Sequence, residues 1–210
     1  MWSWLEYKKT RLATLKKLCE FKLVQTISNK LEFDCICKLN SPNAMLKIKE
    51  TLVIEAAQKG MDAFVELFYN QIMEYIGGEL NAESMQKLTP DQITLLAYYI
   101  YREEVIDGGH VQLIHNGYGP FIYLNPFAKA MRLWGAKEFS KLVYSGRKFF
   151  EDNSEELTKE CTDEEFMAIY ENYPEADDLD DEFVVMEEEV TETVALYIDN
   201  NLSNFAEIEK

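Results

Sequence analysis

Reactive side chains are scarce in this sequence, which has two histidines and four cysteines in 210 residues. Cys19, Cys35, Cys37 and Cys161 form no CxxC pair. His110 and His115 are five apart, which is a poor ligand spacing, so no metal site is expected. The thiols read as reduced, in keeping with a cytoplasmic protein. HExxH, P-loop and GxSxG patterns are all missing, which removes the commonest metalloprotease, nucleotide-cradle and nucleophile-elbow readings. No catalytic residue and no cofactor is therefore expected. No apolar run approaches the roughly 20 residues needed to span a membrane. The opening Met1-Trp2-Ser3-Trp4-Leu5-Glu6 lacks the charged-then-apolar order of a signal peptide. Glycines (nine) and prolines (five) stand singly or in pairs at apparent element ends, so the chain is not of the disordered class.

Positive charge is also missing, but only from one end. Residues 151–210 hold 2 Lys/Arg against 22 Asp/Glu, whereas residues 1–60 hold 11 against 6. Essentially the whole net charge of −17 therefore lies in the last sixty residues. Such a surface repels nucleic acid and anionic membrane and speeds encounter with cationic partners. Simple solubility is the plain alternative. Apolar residues make up 47% of the chain, with 12 Tyr and 12 Phe, so a substantial core is available.

Residues 1–44 form a basic, poorly coherent leader with a β-like piece at Leu31–Cys37 and a turn at Asn40-Ser41-Pro42-Asn43. The composition changes abruptly there, and a natural start at Met45 is one expectation. A DNA-binding arm is another. From Met45 the spacing becomes helical, through Ile48, Leu52, Met61, Phe64, Val65, Phe68, Ile72 and Ile76. Gly60 either divides two helices or sits within one, and Gly77-Gly78 ends the run. Thr89-Pro90-Asp91-Gln92 combines an N-cap, a first-turn proline and a capping box. The helix it opens reaches Asp107, where Gly108-Gly109 supplies a turn. A short helix from His110 to Asn116 ends at Gly117. Asn125 caps the next helix with Pro126 at its first position, and another helix follows Gly135, near Ala136 to Asp152. The expected fold is all-α, a single compact multi-helix domain over residues 45–210 with a long acidic C-terminal helix.

The run from Arg102-Glu103-Glu104 through Gly108-Gly109-His110-Val111-Gln112 to Asn116-Gly117-Tyr118-Gly119 resembles the signature of the bacterial DMP-type DNA-mimic protein family. The segment Phe127 to Ala136 resembles that family's next helix. The likeness covers roughly Ile48 to Phe205, and His110 stands where the family often has an aromatic residue. It implies an all-α fold and, for the characterised type, an acidic homodimer that occupies the DNA-binding surface of a transcription regulator. A family domain alone does not deliver that activity, so charge placement must carry it.

The C-terminal third supplies that placement. Thr162-Asp163-Glu164-Glu165 is a second capping box, with Phe166, Ile169 and Tyr170 as its helix's buried edge. After Pro174 a long helix is expected, with Phe183, Met186, Val190, Val194, Tyr197, Ile198, Leu202 and Phe205 as its apolar stripe. Carboxylates held on rigid helices can imitate duplex phosphates, which present one charge per about 1.7 Å of axis. The residues expected to meet a basic protein surface are Glu151, Asp152, Asp163, Glu164, Asp177, Asp178, Asp180, Asp181, Glu187, Glu188, Glu189 and Glu192. His110, Gln112, His115 and Asn116 are expected to be structural polar groups or to line a small pocket, with His110, Gln112 and Asn116 bonding backbone at the glycine turns. Two other functional classes use the same residues. An immunity- or antitoxin-like inhibitor of a cationic toxin or nuclease would use the carboxylates, and a small-ligand-binding helical domain would use the polar cluster.

Overall fold

The computed structural model describes residues 45–159, 161 and 172–210. The expectations for the leader, and for the capping box and helix from Thr162 to Tyr170, lie outside these residues. The described part is all-α apart from one short strand pair. Its elements are β1 (Lys47–Lys49), α1 (Glu50–Lys59), α2 (Met61–Tyr75), α3 (Ala82–Met85), α4 (Pro90–His115), α5 (Gly119–Tyr123), α6 (Phe127–Trp134), α7 (Lys137–Leu157), α8 (Pro174–Asn200), α9 (Leu202–Phe205) and β2 (Glu207–Glu209).

Helix α4 is the central element, and both of its ends are set by local chemistry. Thr89 Oγ1 accepts from the Gln92 backbone N–H at 3.1 Å, while Gln92 Oε1 accepts from the Thr89 N–H at 2.8 Å. The same pair also fastens the C-terminus, since Thr89 Oγ1 donates to the Asn204 carbonyl and Gln92 Nε2 to the Phe205 carbonyl. At the other end, Gly117 adopts φ +83° and lets the Tyr118 N–H return to the Leu113 carbonyl at 3.1 Å. Between them Gly108 and Gly109 leave helical geometry, so α4 is two helical stretches joined by a kink at the expected glycine turn.

Helices α2, α7 and α8 pack around α4. Tyr101 is fully buried at the centre, with edge-to-face contacts to Phe139 (5.1 Å) and Phe183 (5.0 Å). Phe64, Phe68 and Phe205 extend the aromatic core on one side. These geometries add about 0.5–1.5 kcal/mol per pair beyond area burial.

Three local readings change in the structure. Residues 47–49 form a strand rather than a helical turn, pairing in parallel with Glu207–Glu209 so that Ile48 lies beside Ile208. Ile48 is buried while Lys47 reaches Glu209 at 2.7 Å, a pairing between positions that no local periodicity links. The long helix stops at Asn200, and Leu202–Phe205 forms a separate turn that brings Phe205 into the core against Trp134. Helix α6 starts at Phe127, one residue later than expected, although Asn125 Oδ1 still accepts the Phe127 N–H at 2.8 Å.

Candidate functional site

Helix α8 carries both halves of the site on opposite faces. Its inner stripe of Ala176, Phe183, Val190, Val194, Ala195 and Ile198 is buried, which fixes the rotation of the helix. Its outer face exposes Asp177, Asp178, Asp181, Glu182, Val184, Val185, Glu188, Glu189 and Glu192. The seven carboxylates in that set run over about 22 Å of helix axis, a mean spacing of roughly 3.7 Å. A single strand of duplex DNA spaces its phosphates at about 3.4 Å. Among the described residues no lysine or arginine forms an ion pair with any of the seven. The outer face of α8 is therefore an ordered line of negative charge, without a cationic partner among the described residues.

Two of the expected interface carboxylates are not on it. Asp180 is only 15% exposed and accepts from the backbone N–H of His110 at 2.9 Å and from its ring Nδ1–H at 2.5 Å. A carboxylate can only accept, so Nδ1 carries a proton, and in the neutral ring Nε2 accepts the Tyr101 O–H at 2.8 Å. Burial holds the Tyr101 phenol well above its ordinary range, which keeps it a donor. Glu187 is likewise turned inward, 20% exposed, and accepts from Arg102 Nε. Thr191 Oγ1 donates to Glu187 at 2.9 Å and so must accept from Tyr98 at 2.6 Å. Arg102 also reaches Asp62 at 2.9 Å, tying α2, α4 and α8 together. Burial opposes its charge, but Glu187 and Asp62 more than restore it, and its pKa is raised.

Elsewhere, Glu151 is exposed on α7 and paired with Arg147 at 2.7 Å, and Asp152 beside it is exposed. Asp163 and Glu164 fall outside the described residues.

Of the four polar residues near the glycines, Gln112 and Asn116 bond carboxylates instead of backbone. Gln112 Nε2 donates to Asp107 at 2.9 Å and to Glu104, and Asn116 Nδ2 donates to Glu104 at 2.8 Å. They fasten the kink through carboxylates rather than backbone. His115 does bond backbone, donating from Nδ1 to the Leu157 carbonyl at 2.9 Å. His110 is fully buried against Tyr101, and a Cβ at Gly146 would sit 3.2 Å from its ring, so the space around it is filled.

Sequence reasoning missed two features. One is Asp91, a first-turn residue of α4, which accepts from Asn204 at 2.7 Å and from Trp134 Nε1 at 3.3 Å. The other is an open groove of about 460 Å³ between the α1–α2 junction and α8, lined by Gly60, Met61, Val185, Glu188, Glu189 and Glu192. The exposed Val184-Val185 pair among glutamates was the available signal for the groove.

No helix among the described residues is long and apolar enough to cross a membrane. Comparison with known proteins gives two matches. The chain is 28% identical over 145 residues to the DNA mimic protein DMP19 of Neisseria meningitidis serogroup B, covering 68% of this chain and 88% of that protein. Residues 86–201, from just before α4 to the end of α8, match the family model described as DMP19-like protein. Since that match spans more than half of the chain and includes the Gly108-Gly109 signature, this protein belongs to the DMP19-like family.

Proposed function

We propose that this chain is a non-catalytic DNA mimic that binds the basic, DNA-binding face of a transcription regulator. The observation that supports this most directly is the outer face of α8, whose carboxylate spacing approximates that of phosphates along one DNA strand. The name of the meningococcal relative points the same way. Rigidity matters here, because charges on a helix packed by its own apolar stripe need no ordering when the partner arrives. The interface set is Asp177, Asp178, Asp181, Glu188, Glu189 and Glu192, with Glu182 added and Asp180 and Glu187 assigned to the interior. Glu151, Asp152, Asp163 and Glu164 are further candidate contacts in this proposal. A homodimer, as the family resemblance implies, would present two such faces.

The test is a low-salt pull-down from native lysate with mass-spectrometric identification, followed by titration of the captured protein. Affinity is expected to fall steeply between about 50 and about 300 mM salt. Charge reversal at Asp177, Asp178 and Asp181 is expected to abolish capture while leaving the fold intact. An affinity indifferent to both manipulations would end the DNA-mimic reading. Capture of a cationic nuclease or toxin instead of a regulator would favour an immunity role.

A further inference from the structure

The groove beside α8 differs from the rest of the acidic face because two of its lining residues, Met61 and Val185, are apolar. Val185 is 89% exposed and Val184 is 61% exposed, on a helix whose other outward residues are almost all carboxylates. Val185, Glu188, Glu189 and Glu192 follow i, i+3, i+4, i+7 spacing, so they share one stripe along about 10 Å of axis. Met61 faces them across the groove, and Gly60, without a side chain, leaves the opposite wall low. Pure phosphate mimicry has no use for an apolar residue in that stripe, whereas a water-exposed Val185 gains on being covered.

We propose that this groove receives one amphipathic cationic helix of the partner, seating an aliphatic side chain between Val185 and Met61 while flanking lysines or arginines meet Glu188, Glu189 and Glu192. The inference rests on the DNA-mimic reading and narrows it to a helix-in-groove mode, with an apolar anchor inside a charged rim. Charge complementarity selects the occupant, since the three rim carboxylates have no cationic partner among the described residues. The volume of about 460 Å³ falls within the range of side-chain and ligand pockets.

The experiment titrates the full chain with two probes at low salt: a helical leucine–lysine peptide and an oligolysine of equal charge. Val185→Ser is expected to weaken the leucine–lysine peptide about five- to tenfold, with little change for oligolysine. The triple change Glu188→Gln, Glu189→Gln and Glu192→Gln should weaken both. If Val185→Ser leaves the peptide's affinity unchanged while the glutamine variant still weakens it, the groove proposal fails and the broader electrostatic reading stands. If neither probe responds to salt or to the glutamine variant, both fail. Sedimentation equilibrium covers the remaining occupant: a wild-type dimer that Val185→Ser dissociates would assign the groove to a second copy of the chain and overturn the proposal.

Discussion

Asp180 accepts two hydrogen bonds from one residue, His110, through its backbone N–H and its ring Nδ1–H. The kink at Gly108-Gly109 makes this possible, because it frees the His110 N–H from the helical ladder and aims it at α8. The central helix thereby holds the acidic one by a bond between residues 70 positions apart.

Removing the Asp180 carboxylate strands two donors, one of them on a fully buried ring. Asp180→Ala is expected to cost about 2–4 kcal/mol of stability. Asp178→Ala, at an exposed neighbour, should stay within about 0.5 kcal/mol. Urea denaturation of the two variants checks both values, and equal effects would refute the assignment of Asp180 to the interior.

Gly109 sits at φ +70°, ψ −174°, a region that side-chain-bearing residues avoid. Gly109→Ala is accordingly expected to destabilise by about 1–3 kcal/mol. It should also loosen the His110–Asp180 bond, read as faster exchange of the His110 amide proton.

Arg102 and Glu187 form a partly buried pair whose members are each held by further bonds. Arg102→Met should cost about 1–3 kcal/mol, because Glu187 loses its cation while remaining shielded. The double variant Arg102→Met with Glu187→Met is expected to recover part of that loss. A double-mutant cycle in urea measures the coupling, and strict additivity would show that the pair contributes nothing of its own.

Burial raises the pKa of Tyr98, Tyr101 and Tyr123, and that of the half-buried Tyr99 is pushed up to about 12, also mainly by burial. The unfolded chain releases these protons near pH 10 while the native state retains them, so the folded form binds more protons above that pH. Stability is thus fully present below about pH 10 and declines as pH rises through the raised native values, by about 1.4 kcal/mol per pH unit for each such tyrosine. Alkaline titration should show phenolate absorbance appearing together with unfolding. Early, reversible ionisation of all tyrosines in the native state would contradict it.

Much of the fold was legible because its signals are local. The Thr89–Gln92 capping box, the Gly77-Gly78 and Gly117 stops and the 3.6-residue apolar stripe of α8 each lie within a few residues of the structure they specify. The strand pair β1–β2 was not legible, since a three-residue strand has no periodicity of its own and its partner is 160 positions away. The break at Asn201 was hidden for a related reason: Leu202 and Phe205 continue the helical spacing, yet Asn204 and Phe205 offer their carbonyls to Thr89 and Gln92.

The sequence by itself determined that the charge is ordered, because carboxylates and an apolar stripe alternate along a single helix opened by Pro174. It also determined the family, through the spacing of Gly108, Gly109, Gln112 and Asn116. Only tertiary structure decided which carboxylates remain available to a partner. Asp178 and Asp180 are two residues apart in one acidic run, and what separates them is whether His110 lies opposite. The same holds for Val185, whose exposure depends on which of the described elements pack against α8. Such outcomes depend on which elements meet in space, and the sequence records each element's faces without recording what packs against them.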